Sequence, residues 1–187
     1  MEQAKREIVA QPYALAGDVM RMFHADAEDL SEGGIMVFLG KVLPVLRAEG
    51  VVVDATFGQW KRLVGRREVA AGAPPGPLLS LRVSSGRDCP MVDVRSELSE
   101  NSYTMYVGER EFVACESRDG PATSWMTATV ATLDILNVIL GMHDSSERAW
   151  AVMGGNDLHV VFASEEACRF VNSTLAPRDQ LHDGTKD

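Results

Sequence analysis

Residues 123–141, TSWMTATVATLDILNVILG, decide the fold. From Trp125 to Leu140 the run holds neither proline nor glycine and is long for a strand. Its polar residues do not alternate. Thr127, Asp134 and Asn137 recur at helical spacing and make one narrow stripe. The rest of the circumference is apolar, from Trp125, Met126 and Ala128 through Leu133, Ile135 and Leu136 to Ile139 and Leu140. A helix apolar over most of its surface is buried on several sides, so this one is expected at the centre of the molecule. Thr123 or Ser124 should cap its start, with Pro121 just before. Gly141 should supply a left-handed C-cap. The run reads as too short and too polar for a transmembrane span, which needs ~20 mostly apolar residues. Asp134 and Asn137 are expected to mark the side that reaches water or a neighbouring polar group.

The segments on both sides of this helix read as strands. Upstream lie LLSLRV (Leu78–Val83) and MVDVRSEL (Met91–Leu98), in which Val92 and Val94 alternate with Asp93 and Arg95. SYTMYV (Ser102–Val107) and EFVACES (Glu111–Ser117) flank Gly108-Glu109-Arg110, which predicts an antiparallel hairpin. Downstream, RAWAVM (Arg148–Met153) and LHVVFA (Leu158–Ala163) flank Gly154-Gly155-Asn156-Asp157, a second hairpin. Ser164 then caps a last helix, with Glu165 and Glu166 in its first turn and Ala167, Cys168, Val171 and Leu175 on its inner face. Pro177 stops it, and residues 177–187 form a polar tail.

Towards the N-terminus, residues 1–11 read as a mobile arm or short strand. Pro12 opens a helix in which Leu15, Val19, Met22, Phe23 and Ala27 recur as far as Leu30. A second helical face, Ile35, Met36, Leu39, Leu43 and Leu46, should be kinked at Pro44 and ended by Gly50. Val51–Val53 can start a strand. Lys61, Arg62, Arg66 and Arg67 around Trp60 form the one locally basic stretch. It reads as an exposed turn or edge strand, or as a grip for an anionic ligand. Ala70–Pro77 is a loop by its prolines and glycines. The expected architecture is a single α+β domain over residues 1–187. An antiparallel sheet of five or six strands packs against the central buried helix, with helices at the N- and C-terminal ends.

A chain of 187 residues with 45% hydrophobic and 24% charged residues is ordinary for one globular domain. The net charge of −9 argues against generic binding to phosphate backbones and favours a basic partner. Cys89, Cys115 and Cys168 are odd in number and far apart, which predicts reduced, mostly buried thiols. The N-terminus lacks the apolar core of a signal peptide, so the expected location is cytoplasmic.

No residue pattern announces catalysis. GxSxG is absent, and Gly33-Gly34 is followed by no GK[ST], so it is not a phosphate loop. Ser145 and Ser146 lie beside His143 and Asp144, but triad members are usually brought together by the fold. Asp157 with His159 could do acid–base work. The simpler reading gives Asn156 and Asp157 to the turn and puts His159 on the outer face of a strand. His24 with Asp26, Glu28 and Asp29 lacks metal-ligand spacing. No catalytic residue, cofactor or metal is therefore expected.

Two resemblances bear on function. The predicted order α-β-β-β-α-β-β-α, with a sequence pI of about 4.9, resembles the class I type III secretion chaperones, which are cytoplasmic dimers that wrap an extended effector segment. The final third, RAWAVMGGNDLHVVFASEEACRFVNSTL (Arg148–Leu175), resembles bacterial toxin-immunity proteins. These are small, often acidic, non-enzymatic domains that plug a cognate toxin. The second resemblance implies an inhibitor that occupies a toxin or secreted effector, as a monomer in a heterocomplex. The first implies a dimeric chaperone or adaptor. A small enzyme with dispersed residues is the remaining alternative. Neither nucleic acid nor membrane is an expected partner. The expected protein-binding residues are Tyr103 and Tyr106, surrounded in sequence by Asp93, Glu97, Glu109 and Glu111.

Overall fold

The computed structural model describes residues 22–54, 80–84, 92–116, 118, 120–152, 157–177 and 180–183. Along the chain these form β1 (Met22–Asp26), α1 (Ala27–Asp29), a kinked segment Leu30–Gly34, α2 (Ile35–Ala48), β2 (Val52–Asp54), β3 (Ser80–Ser84), β4 (Val92–Leu98), β5 (Ser102–Val107), β6 (Arg110–Glu116), α3 (Pro121–Gly141), β7 (Glu147–Val152), β8 (Asp157–Ser164), α4 (Glu165–Thr174) and β9 (Leu181–His182). The class is α+β, with antiparallel pairing throughout. The strands divide into two sheets, where the sequence suggested one of five or six. The first is ordered β2-β3-β4-β5-β6 and the second β1-β8-β7-β9. The helix α3 joins β6 to β7 and packs on both, which holds the two groups of strands apart.

The two sheets share one core. Ile135, Leu136, Ile139 and Leu140 of α3 meet Phe38, Leu39, Val42 and Leu46 of α2, Met105 and Val107 of β5, and Ala149 and Val160 of β7 and β8. By length and composition alone, α3 is long and apolar enough to cross a membrane, contrary to the reading from sequence; half of its most apolar window is buried inside the protein. Its start also differs from expectation. Pro121 occupies the first helical turn, where its missing N–H costs nothing, and Gly120 is the N-cap. Thr123 and Ser124 both donate their backbone N–H to Gly120 O at 3.0 Å, and Ser124 is buried instead of capping. Gly141 is not left-handed; the positive φ, +51°, falls on Asp144 in the following turn.

The expected first helix, Pro12 to Leu30, is corrected where it is described. Met22–Asp26 is a strand, paired with β8 in the register Phe23↔Val160, His24↔His159, Ala25↔Leu158. The segment MFHAD alternates as well as it spirals. With β8 as a partner, Phe23 and Ala25 turn inward and Phe23 meets Phe162 edge-on at 5.9 Å. Asp26 then accepts from the N–H groups of Glu28 and Asp29 and caps α1. Gly33 has φ +106°, and a Cβ on Gly34 would lie 2.4 Å from Asp29 O, so this glycine pair serves the bend between α1 and α2. The helix α2 runs through Pro44 without a break. It closes at Gly50 (φ +88°), with Val51 N–H on Leu46 O and Gly50 N–H on Arg47 O, a Schellman ending.

Two asparagines act as short pieces of strand. Asn137 of α3 donates to Ala149 O at 3.0 Å and accepts from Ala149 N–H at 2.7 Å, satisfying both backbone groups of that β7 residue. Further along β7, β9 pairs with Ala151 and Val152. β9 is itself held by Asn172 of α4, which bonds the N–H and C=O of Leu181 at 2.7 and 3.0 Å. The expected polar tail thus contributes a strand. The inner face of α4 (Cys168, Val171) covers Val161 and Leu181 on the outer face of the second sheet, with Trp150 and Leu175 at the margin. The arm (residues 1–11), the basic stretch from Trp60 to Arg67, the loop Ala70–Pro77, Cys89 and Asn156 lie outside the described residues.

Candidate functional site

The outer face of β4–β6 gathers most of the residues expected to bind a partner. Alternation points Val94 and Ser96 inward and leaves Asp93, Arg95 and Glu97 exposed. The register places Arg95 beside Tyr106, and Tyr106 beside Glu111. The Arg95 guanidinium lies 4.4 Å from the centre of the Tyr106 ring, a cation–π contact. The Tyr106 phenol also hydrogen-bonds to Glu97. Its pKa is pushed up, first by loss of water around the hydroxyl and then by the carboxylates of Glu97 and Glu111, with Arg95 opposing. Tyr106 is therefore a protonated donor held between a cation and two anions. Glu109 stands exposed in the two-residue turn beside Gly108, whose φ is +60°.

Tyr103 does not belong to this face. It is 1% exposed and lies in the core with Met105 and Val107. Its hydroxyl donates to Gly33 O at 3.3 Å, and burial raises its pKa against the opposing backbone hydrogen bonds of Met36 and Ile35. The spacing carried this correction: residues three apart on a strand point to opposite faces, so Tyr103 and Tyr106 cannot share one.

Beside this face, a groove of about 270 Å³ runs between β6 and α3. Val113, Met126 and Val130 line it, with Glu111 from the sheet and Asp134 from the helix. Met126 is 50% exposed and Val113 36% exposed, both large for apolar side chains. The polar stripe read from the helix sequence is split: Thr127 and Asp134 face the groove, whereas Asn137 faces β7. The Asp134 carboxyl is pushed above its ordinary pKa by partial burial and then by the nearby charge of Asp183. Periodicity marked Asp134 as polar, but which strand would face it is a tertiary fact.

The other candidates read from sequence have structural partners. Asp157 pairs with His24, Oδ2 to Nε2 at 3.1 Å, across the β1–β8 ladder. His159 leaves Asp157 to His24 and sits against the His24 ring, centroids 4.8 Å apart. Among the described residues no group of three His, Cys, Asp or Glu is arranged to hold a metal ion. Ser145 donates to Glu49 Oε2 at 3.0 Å and accepts from Glu147 N–H, which ties the turn after α3 to the end of α2. Burial lowers the pKa of neighbouring His143, with Asp144 opposing. The Cys168 thiol is pushed up to about 11 by burial and by Asp183 and Glu165, the opposite of what a nucleophile requires. No protein-family model matches the chain, and no curated protein or solved structure is significantly similar to it.

Proposed function

We propose that the protein is a binding protein that acts by occupying a basic partner, in the manner of an immunity-type inhibitor of a toxin or secreted effector, with the outer face of β4–β6 as its contact surface. One observation carries the reading. That face displays an ordered tyrosine between Arg95 and Glu97, ringed by the exposed carboxylates of Asp93, Glu109 and Glu111. A tyrosine fixed by its neighbours loses little entropy on binding, and such residues are common anchors of protein interfaces. Surrounding carboxylates on a chain of net charge −9 speed and orient the approach of a positively charged surface.

The test begins with capture of partners from the native host by tagged wild-type protein, Tyr106→Ala and Glu97→Lys/Glu111→Lys. The expected result is a one-to-one complex with a basic protein whose toxicity or activity is suppressed by the wild type. Both variants should lose it while keeping their melting temperature. A partner retained equally by all three proteins, or one whose activity is unaffected in the complex, would refute the proposal.

A further inference from the structure

The groove between β6 and α3 has a shape and charge that select one kind of occupant. Val113, Met126 and Val130 give it an apolar surface, and its charged groups are two carboxylates, Glu111 from β6 and Asp134 from α3, with the Thr127 hydroxyl as its remaining polar side chain. Among the described residues neither carboxylate has an ion pair or side-chain hydrogen bond. At about 270 Å³ the space suits a single long side chain and is too small for a folded element. A purely apolar side chain would cover the apolar surface but would desolvate both carboxylates without replacing their water. A side chain with an aliphatic stem and a cationic head satisfies both surfaces at once. Arginine fits better than lysine, because its planar fork can address two carboxylates from different elements and carries its charge at any working pH.

We infer that this groove is a receptor for an arginine side chain of the protein partner, its stem lying over Val113, Met126 and Val130 and its guanidinium held between Glu111 and Asp134. The inference rests on the reading of the protein as a binder of basic partners and specifies where the first charge enters. It also gives Asp134 a role. A carboxylate half-buried near another negative charge is costly alone and is relieved when a cation arrives.

The test uses a small probe, so it does not depend on the natural partner. N-acetyl-arginine N-methylamide is titrated into the ¹⁵N-labelled full chain, with the citrulline analogue as a neutral control of the same shape. The expected result is shift changes concentrated at Val113, Met126, Val130 and Asp134, with millimolar affinity, and none with citrulline. Asp134→Asn and Glu111→Gln should each weaken binding roughly tenfold, the size of one charge-assisted hydrogen bond. Glu111 is on the exposed surface, so its variant serves even if the helix variant folds poorly. Equal shifts with citrulline, shifts centred elsewhere, or none at all would overturn the inference. Tyr106→Ala leaves the groove intact: a failed probe titration alongside a partner complex lost in Tyr106→Ala removes the arginine site alone.

Discussion

The two sheets are built from the same material and finished differently. The outer face of the second sheet is apolar at Val161 and Leu181 and is roofed by α4. The outer face of β4–β6 carries the exposed Asp93, Arg95, Glu97 and Glu111 around a half-buried Tyr106. The edges differ in the same way. β7 is closed by β9 and by the Asn137 side chain, whereas beside β6 lies a groove with two large apolar side chains in view. A face sealed by a helix and two asparagines is finished for stability. A face with an ordered tyrosine, carboxylates and a groove at its margin is finished for contact.

The largest difference between the two kinds of surface is expected at the tyrosines. Tyr103→Ala should destabilise the protein by about 3–5 kcal/mol, the range for emptying a large aromatic site in a core, whereas Tyr106→Ala should stay within about 1 kcal/mol. Urea unfolding of both variants checks this; equal losses would mean that the β4–β6 face is not a free surface. Next in size is the edge device. Asn137→Ala strips both partners from Ala149 and should cost about 2–6 kcal/mol, at about 1–3 kcal/mol for each buried group left unpaired. Hydrogen exchange should then quicken at Ala149 while β5 and β6 stay protected.

Asp134→Asn sharpens the contrast by its sign. The Asp134 pKa is higher in the folded chain than in the unfolded one, so the native state holds the proton more tightly. Native stability therefore falls as pH rises from the ordinary carboxyl range through the raised value, and the ionised group is a net cost at neutral pH. The asparagine variant should melt higher than wild type at pH 7, and the gain should vanish once the pH drops below the ordinary carboxyl pKa. A lower melting temperature at pH 7 would show that Asp134 supports the fold. The smallest effect belongs to the surface pair of the second sheet. His24→Ala should cost less than about 1 kcal/mol, because His24 and Asp157 are both well exposed.

Much of the fold could be read from the sequence because it follows local rules. The 3.6-residue pattern gave α2 and α3, the alternation in MVDVRSEL gave β4, and Gly108 gave the hairpin. What escaped depends on partners distant in sequence. MFHAD supports either period, and only β8 decides that it is a strand. Leu181 and His182 become a strand because Asn172 and β7 accept them. The single sheet became two because α3 meets strands on both sides, which no local pattern encodes. At the site, alternation was enough to put Asp93 and Glu97 on one face of β4 and, applied strictly, to separate Tyr103 from Tyr106, but the β4–β5 register was needed to bring Tyr106 to the face of Arg95 and Glu97. The groove was illegible, since which strand faces Met126 and Asp134 is decided by tertiary packing.

The most direct measurement is hydrogen exchange of the chain alone and in complex with its captured partner. A partner seated on the β4–β6 face should slow exchange along β4, β5 and β6 and the adjoining turns of α3, with β7, β9 and α4 unchanged. Protection confined to α4, where Phe170 is 61% exposed, or to the His24–His159 face of the second sheet would contradict it.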